Sequence, residues 1–532
     1  MILIGELSLW VALLMAAWAA TVSFAGGHMR RADLIESGER ALHATLAMAV
    51  FASLGLWTAL LTRDFSIKYV ASYTSANLPK VYTIAAFWAG RSGSLLFWTL
   101  ILASYSAVVL RTNRTRSREL MPYVSGTLGL ALVFLLAAMC FGSNPFERLD
   151  WIPPDGRGLN PRLQNPGMAI HPPSLYLGYV GTTIPFAFAV AALLKRRLDA
   201  EWLATVRRWA LLAWFFSTVG IVLGMWGAYI EPGRGAYWAW DPVENASLLP
   251  WLVNTALLHS IIVEEKRGMF RKWNVTLVIS AFVLSIIAAS TTRSDVISTA
   301  HSFAPSPGAK WVAAFLGLLL LLLMGIGSLI ARRQASPANF NGEARLGVLP
   351  RLLARNRRRH GGYIAHLGVV VILAAFAGLS FKREFDLTLN AGDMKTATDP
   401  WGHKWTFLNQ GISRYNVLNR EVTAIALDVA RDGKPEGVIT SERRQYIDSR
   451  GAPTFEPSTE VGIKGSFRQD VYVVLGGVRG ADSAEVRVTF NPLVRWVWIG
   501  GALMALGGLV VMWPATDTQS EQSENAGGKR AA

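Results

Sequence analysis

Cysteine is the scarcest residue in this sequence, since Cys140 is the only one among 532 residues. A single thiol excludes a disulfide within the chain. The motif Cys-x-x-Cys-His, through which c-type cytochromes carry their haem, does not occur, so the chain is not itself such a cytochrome. Because Cys140 lies within an apolar run, we expect a buried, unreactive thiol.

Charged residues and nucleotide-binding motifs are also scarce. Asp, Glu, Lys and Arg make up 17% of the chain, whereas hydrophobic residues make up 52%. No ATP-binding motif occurs, so any energy-driven transport would need a partner protein. With 20 tryptophans and a mean hydropathy of +0.31, this composition indicates a protein embedded in lipid and not a set of soluble domains.

Apolar runs long enough to cross the roughly 30 Å of membrane hydrocarbon recur along the chain. About eleven can be drawn, which predicts an all-α polytopic membrane protein. The first run lacks a basic leader and a small-residue cleavage site, so we interpret it as a retained helix. The runs lie near residues 3–25, 41–61, 85–110, 121–141, 174–194, 209–229, 246–263, 273–291, 312–331, 362–381 and 493–513.

The formal net charge of +16 follows the loops between these runs. With the N-terminus outside, the basic clusters all fall in the cytoplasm, as the positive-inside rule expects. This distribution predicts orientation in a membrane and no nucleic-acid partner. The clusters lie at residues 30–31, 111–118, 195–197, 266–272 and 355–360.

The composition changes between residues 382 and 492. Apolar and polar residues alternate in EVTAIALDVA, RQDVYVVLGGV and AEVRVTF, and Asp432-Gly433 is a turn signal. We therefore predict a β-rich domain on the outer side, inserted between a helical bundle (1–381) and a last helix (493–513). The tail 514–532, rich in Ser, Glu and Gly, is expected to be disordered in the cytoplasm.

Four of the eight histidines fall into two pairs by predicted depth. His171 and His301 lie at the outer boundary, whereas His259 and His366 lie about 20 Å and roughly 24 Å below it. Neutral imidazole is the commonest metal ligand, and a six-coordinate haem takes two axial imidazoles. The deeper pair therefore predicts a haem site, with a packed, hydrogen-bonded histidine as the alternative for each one alone. We interpret the others as structural: His28, His43, His360 and His403.

Two prolines, Pro172 and Pro173, follow His171. Proline suits the first turn of a helix but not its interior. We therefore expect His171 just before a helix begins, held on a rim at the outer face.

A tryptophan-rich stretch, WGAYIEPGRGAYWAWDPVENASLLPW, occupies residues 226–251. Trp238 and Trp240 lie in a short, turn-rich segment, which favours a planar hydrophobic ligand over an ordinary aromatic belt at the membrane surface. Asp241 and Glu244 have the spacing of a capping box at a helix start. For these two acids a purely structural role is the alternative to a role in binding.

Five stretches carry a resemblance to a known family: LNPRLQNPGMAIHPPSLYLGY, WAWDPVENASLLPW, NTALLHS, TTRSDVISTAHSFA and IAHLGVVVILAAFAG. In this order, and with the β-rich domain after them, they resemble the CcmF family of cytochrome c haem lyases. That family belongs to the haem-handling membrane proteins with a tryptophan-rich WWD loop. The resemblance covers nearly the whole chain. It implies a protein of the bacterial cytoplasmic (inner) membrane with its haem site and β domain on the periplasmic side.

The resemblance also implies roles for individual residues. His171 and His301 would hold the haem to be attached, and His259 and His366 would be the axial ligands of a resident b-type haem. Arg293 would pair with a haem propionate. The remaining residues that the resemblance assigns to the loop site are Trp226, Tyr237, Trp238, Trp240, Asp241 and Glu244.

The implied activity is the addition of the CxxCH cysteines of an apocytochrome c to haem vinyl groups, with a quinol reducing the resident haem. Implied partners are the apocytochrome, a haem-delivering chaperone, other cytochrome c maturation membrane proteins and membrane lipid. Two other functions are compatible with two pairs of histidines at different depths. One is a haem exporter or chaperone that forms no bond, and the other is a quinol-dependent haem reductase.

Two features depart from the family pattern. The doubled tryptophan of the family is Tyr237-Trp238 here, and another position that is often tryptophan is Arg234. The segment between His301 and His366 is shorter than in long members, which leaves the number of helices there open.

Overall fold

The computed structural model describes residues 1–115, 117–198, 200–230, 237–291, 357–480 and 482–513. Within these residues, ten segments are helical, long and apolar enough to cross a membrane. They correspond to ten of the predicted spans, which confirms a polytopic helical protein. The predicted span 312–331 and the tail 514–532 lie outside the described residues.

Two predicted spans are not single helices. The run 85–110 is broken at Gly90, whose extended backbone precedes a new helix beginning at Arg91. The run 174–194 contains two consecutive helices that meet at Thr182. The helices of the described residues are α1 Ile2–Met29, α2 Ala32–Thr62, α3 Lys68–Tyr73, α4 Lys80–Ala89, α5 Arg91–Thr112, α6 Met121–Gly142, α7 Pro166–Gly181, α8 Thr183–Lys195, α9 Ala200–Ile230, α10 Pro242–Arg267, α11 Arg271–Thr291, α12 Arg357–Leu379 and α13 Arg495–Met512.

Helix α9 is the central helix of the part that carries the candidate site. It packs against α7, α8, α10 and α13. The approach to α7 is close because a Cβ at Gly220 would lie 2.8 Å from the Cα of Leu175. Small residues permit this approach between membrane helices, where van der Waals packing contributes to association.

Helix α12 is held on α13 by glycines that face each other. A Cβ at Gly368 would lie 2.5 Å from the Gly500 carbonyl oxygen, and a Cβ at Gly507 would lie 2.5 Å from that of Gly361. The two backbones are therefore in direct contact at two levels, seven residues apart on each helix. This contact fixes the position of α12 on the bundle.

The predicted β-rich domain is a sandwich of two antiparallel sheets. Their strand orders are β1-β9-β8-β7 and β2-β3-β4-β5-β6. Side chains from both sheets, such as Phe407 and Ile425 from one and Val473 and Phe490 from the other, are fully buried between them. The strands are β1 Arg383–Asn390, β2 Met394–Thr398, β3 Lys404–Val417, β4 Arg420–Arg431, β5 Lys434–Tyr446, β6 Ser458–Glu460, β7 Gly462–Gly465, β8 Gln469–Arg479 and β9 Ser483–Pro492.

The β domain is fixed to one end of the bundle, which we call the domain end. Tyr229, one residue before the end of α9, accepts a hydrogen bond at its carbonyl from the Tyr472 hydroxyl at 2.9 Å. The Asn491 amide donates to the Tyr229 hydroxyl at 3.1 Å. In a loop, Asp155 accepts the backbone N–H of Ser449 at 2.9 Å and that of Ala76 at 2.7 Å. The β domain therefore sits beside the end of α9, where the tryptophan-rich stretch begins.

Candidate functional site

The two deeper histidines lie next to each other. The ring centres of His259, on α10, and His366, on α12, are 5.7 Å apart, with an angle of 86° between the ring planes. The two residues are 107 positions apart in sequence, so only the packing of the helices brings them together. The prediction that they share one depth is confirmed.

Backbone hydrogen bonds determine which ring nitrogen carries the proton. His259 Nδ1 lies 2.8 Å from the Thr255 carbonyl, and His366 Nδ1 lies 2.7 Å from the Gly362 carbonyl. A carbonyl can only accept, so each Nδ1 donates, and Nε2 is the basic nitrogen of the neutral ring. Metal-bound histidines commonly make this bond, but His43 makes it as well, to Glu39. The bond therefore fixes the tautomer and does not by itself identify a ligand.

The pair fits two axial ligands of one haem. Two imidazoles bound to a single metal through bonds of about 2.0 Å have ring centres about 6 Å apart, close to the separation of His259 and His366. Among the residues that the structure describes, no three His, Cys, Asp or Glu side chains converge as a metal cage. A metal that brings its own equatorial ligands, as haem iron does, therefore suits the pair.

Exposed apolar side chains lie four or seven residues from the two histidines and so on the same helix faces. Leu252 on α10 is 48% exposed, and Val370 and Leu373 on α12 are each 60% exposed. Both histidines are exposed as well. Apolar surface beside two imidazoles is suited to the faces and edge of a macrocycle.

The predicted position of His171 is wrong. His171 is the sixth residue of α7, which begins at Pro166, and not the residue before a helix. The helix starts earlier because the Asn165 side chain caps the Gly167 N–H and Pro166 takes the first helical position. Pro172 and Pro173 lie inside the helix, where they remove two backbone donors from its second turn.

His171 lies in the contact between α7 and α9. Its Nδ1 donates to the Gly220 carbonyl at 2.7 Å. A Cβ at Gly224 would lie 2.7 Å from His171 Cε1. We did not predict these two partners, although their Gly-x-x-x-Gly spacing is a known signal for close contacts between membrane helices.

Trp226 is one half-turn beyond Gly224 on α9 and belongs to the same contact. Its indole ring lies so close to Gly167 that a Cβ there would overlap it. It therefore packs between the helices at the level of Gly167, one turn of α7 before His171.

The described tryptophan-loop residues have different environments. Tyr237 stacks on Phe376 of α12, with ring centres 4.9 Å apart and an interplanar angle of 10°. Trp238 donates from Nε1 to the Asn245 side chain at 3.2 Å. Trp240 is 78% exposed and has a positive φ of 57°. The loop is thus attached to both helices that carry the deeper histidines, and Trp240 projects from it.

The predicted capping box at the start of α10 is confirmed. Asp241 Oδ1 accepts the Val243 N–H at 2.8 Å, and Glu244 Oε2 accepts the N–H of Asp241 at 3.3 Å and that of Ala239 at 2.8 Å. Both carboxylates therefore shape the loop and start the helix that carries His259. Three other residues of the prediction lie outside the described part of the chain: His301, Arg293 and Arg234.

Two family models match the chain. "Cytochrome C assembly protein" covers residues 88–296, and "CcmF C-terminal beta-sandwich" covers residues 380–492. The first match contains the tryptophan-rich stretch with His171 and His259. The second coincides with the two-sheet domain.

Relatives match over nearly the whole chain. The cytochrome c-type biogenesis protein CcmF of Pseudomonas fluorescens is 32% identical, over 95% of this chain and 95% of that protein. The probable cytochrome c-type biogenesis protein NrfE of Escherichia coli is 32% identical, over 92% of this chain and 98% of its own. The first alignment extends over 639 positions, more than the 532 residues of this chain, so that relative carries additional segments.

A solved structure titled "Cytochrome c Heme Lyase CcmF" has the same fold. It superposes with a TM-score of 0.79 at 25% identity, over 96% of this chain and 98% of that one. The bundle, the β-sandwich and their order along the chain thus agree with both the sequence comparisons and this structure. The chain is a multi-pass membrane protein and belongs to the CcmF family of cytochrome c-type biogenesis proteins.

Proposed function

We propose that this protein is a haem lyase that holds a substrate haem at the domain end and promotes its attachment to the CxxCH cysteines of an apocytochrome c. The observation that carries the proposal is the pairing of His259 with His366. Attachment needs ferrous iron, so a lyase benefits from an electron-transfer site of its own, whereas a bond-free exporter has no need of one.

His171 and His301 would ligate the iron of the substrate haem. Support for His171 comes from its Nδ1–H bond to the Gly220 carbonyl, which makes Nε2 the basic nitrogen and fixes the ring. Trp226 packs against Gly167, one turn of α7 from His171, and Trp226, Trp238 and Trp240 would contact the macrocycle. Arg293 would pair with a propionate. Catalysis would consist mainly of positioning.

The bond-forming step is balanced without an oxidant or reductant. The cysteine sulfur bonds to one carbon of the vinyl group, and the thiol hydrogen goes to the other carbon. Asp241 and Glu244 support the site indirectly, because both accept backbone N–H groups of the loop and of the first turn of α10.

The deeper pair would hold a resident b-type haem through the Nε2 atoms of His259 and His366. When bound, this group supplies one-electron transfer from a quinol toward the substrate site. The surrounding residues keep both Nδ1 atoms protonated and provide apolar surface.

Orientation follows from charge. Basic residues at helix ends, such as Arg30, Arg196 and Lys266, lie at the end of the bundle opposite the β domain. Under the positive-inside rule, this supports a periplasmic position for the substrate site and the β domain. Apocytochrome c would then approach from that side, together with a haem-delivering chaperone and other maturation proteins in the membrane.

The resident site is tested with purified full-length protein. A dithionite-reduced spectrum and acid–acetone extraction should reveal a non-covalent b-type haem in the wild type. His259→Ala and His366→Ala should each lose that signal. His43→Ala is the matched control, because His43 makes the same helical Nδ1 bond away from the pair. An unchanged signal in both variants would overturn the resident site.

The lyase activity is tested in cells that make a CxxCH apocytochrome. His171→Ala and His301→Ala should abolish covalent holocytochrome, detected by haem staining of denatured protein. Normal yield in both variants would refute the lyase assignment. If added haem, supplied in reduced form on the outer side, restores attachment in the absence of this protein, the exporter or reductase alternative is favoured.

A further inference from the structure

Two tryptophan–threonine pairs join α9 to α10. Trp214 and Thr218 are four residues apart on α9, and Trp251 and Thr255 have the same spacing on α10. Residues four apart lie on one face of a helix. Because the helices are antiparallel, Trp214 lies level with Thr255, and Trp251 with Thr218.

Hydrogen bonds cross between the helices in both directions. Trp214 Nε1 donates to Thr255 Oγ1, and Trp251 Nε1 donates to Thr218 Oγ1, each at 2.8 Å. Each threonine hydroxyl then donates to the carbonyl of the tryptophan in its own helix, also at 2.8 Å. The indole rings are stacked, with centres 6.2 Å apart and an interplanar angle of 24°. We call these four residues the Trp–Thr clasp.

The clasp is directly linked to His259. Thr255, which receives the Trp214 indole N–H, also provides the carbonyl that accepts the His259 Nδ1–H. Trp214 is only 7% exposed, so its N–H needs a partner within the protein. Through Thr255, the indole N–H of Trp214 is thus linked to α10 and to the carbonyl that holds the His259 ring.

Trp214 also contacts α13, the helix that packs against α12, which carries His366. A Cβ at Gly508 of α13 would lie 3.3 Å from Trp214 Cζ3. The adjacent Gly507 packs against the backbone of Gly361 on α12. The next residue, Gly362, provides the carbonyl that accepts the His366 Nδ1–H. Two short series of contacts thus lead from one indole to the two histidines.

We propose that Trp214 is the positioning residue of the two-histidine site and that the clasp sets the separation and relative angle of His259 and His366. This inference rests on the proposed resident haem. Trp214 acts indirectly, by fixing two helices against α9. A hydroxyl at position 255 is needed because it accepts the indole N–H.

The test uses the purified full-length protein with its bound haem b. Low-spin ferric iron with two axial imidazoles has an electron paramagnetic resonance spectrum that depends on the angle between the ring planes, and near-perpendicular planes give the most anisotropic signal. The midpoint potential is the second readout. Trp214→Phe removes the N–H but keeps a ring, and Thr255→Val removes its acceptor while leaving the carbonyl in place.

We expect the wild type to show a highly anisotropic signal, as the 86° angle implies. Trp214→Phe and Thr255→Val should both change this signal and shift the midpoint potential in the same direction. Thr255→Ser, which keeps the hydroxyl, should show the wild-type signal and potential. Trp209→Phe is the control, because Trp209 lies on the same helix but packs against Tyr105, with ring centres 5.3 Å apart.

Unaltered signals and potentials in Trp214→Phe and Thr255→Val, with haem b still bound through His259 and His366, would overturn the role of Trp214 and leave the proposed function intact. A wild-type protein without a haem b signal that depends on these histidines would overturn the proposed function and this inference with it. Since interhelical hydrogen bonds in membranes contribute little to stability on average, both substitutions should still yield folded protein.

Discussion

His171 on α7 donates a hydrogen bond to the main-chain carbonyl of Gly220 on α9, with 2.7 Å between Nδ1 and the oxygen. The bond requires the two helices to approach closely, which the glycines of α9 permit. It links the imidazole proposed to hold substrate haem to α9, the helix that also carries Trp214 and Thr218 of the Trp–Thr clasp.

Gly224 is the glycine whose replacement should displace His171 most directly. In Gly224→Ala the new methyl would lie 2.7 Å from His171 Cε1, so the ring or the helix must shift. We expect holocytochrome yield to fall about tenfold to a hundredfold, as misplacement of a reacting group by an ångström does. The haem b spectrum should change little.

Gly142→Ala is the control for this substitution, because a Cβ there would meet no heavy atom within 4 Å. Wild-type yield in Gly224→Ala, measured by haem staining at equal protein level, would show that the position of His171 is not critical.

The glycine contact between α12 and α13 should be needed for the two-histidine site. In Gly500→Leu the side chain would enter the backbone of α12, since even a Cβ lies 2.6 Å from the Gly368 carbonyl oxygen. Overpacking of this kind costs typically about 1–3 kcal/mol. We expect a lower melting temperature and loss of the reduced haem b band.

Ala502→Leu is the matched control, because it makes a similar change on an exposed position of α13 two residues away. Should Gly500→Leu retain a wild-type haem b spectrum, the position of α12 does not determine that of His366.

Asp241 offers a test between a structural and a chemical role. Asparagine caps helices about as well as aspartate, whereas alanine at this position costs about 1 kcal/mol. If capping is the role of Asp241, Asp241→Asn should support normal maturation, while Asp241→Ala should lower thermal stability and yield together. A defect in Asp241→Asn at normal stability would instead assign a role to the charge itself.

Asp155 should make the attachment of the β domain depend on pH. Burial by itself would raise the pKa of this carboxyl, but hydrogen bonds from Ser449 and from the backbone N–H groups of Ala76 and Gly156 outweigh it and hold the pKa below its usual value. A lowered folded-state pKa contributes stability that is present above the unfolded-state value, about 3.9 for aspartate, and is lost as pH falls through the folded-state value.

The expected result for Asp155→Ala is a lower melting temperature at pH 7, with a difference from wild type that narrows as the pH falls below about 4. Thermal unfolding of both proteins across this range measures it. Arg450→Ala is the control, because Arg450 is next to Ser449, the partner of Asp155 in the β domain, but pairs with Asp448. A difference that does not vary with pH would exclude the carboxylate as its origin.

Much of the fold follows from local sequence patterns. Ten spans, three of the nine strands of the β domain (β4, β8 and β9) and the capping box at Asp241 were all predictable, because hydrophobic periodicity and helix-start signals act over a few residues. The shared depth of His259 and His366 was predictable too, since the rise per residue of a helix converts position into depth.

The exact environment of His171 was not predictable in the same way. The prolines after it suggested a helix start, but Asn165 and Pro166 provide a better one six residues earlier. Local signals compete, and a helix can tolerate prolines in its second turn when packing against α9 holds it there. The proposed ligand role of His301 and the role of Arg293 stay predictions.

The sequence by itself determined the class of protein, the number of spans in its described part and the shared level of His259 and His366 along their helices, because each depends on composition or on the regular rise of a helix. Tertiary structure alone decided that His259 and His366 lie next to each other and that His171 is hydrogen-bonded to Gly220. It also decided that Trp214 contacts both Thr255 on α10 and Gly508 on α13. These relationships depend on the rotation and spacing of helices distant in sequence. The rotation and spacing of the helices are set by the positions at which small residues allow two helix backbones to come into contact. No single stretch of the sequence shows where these contacts form.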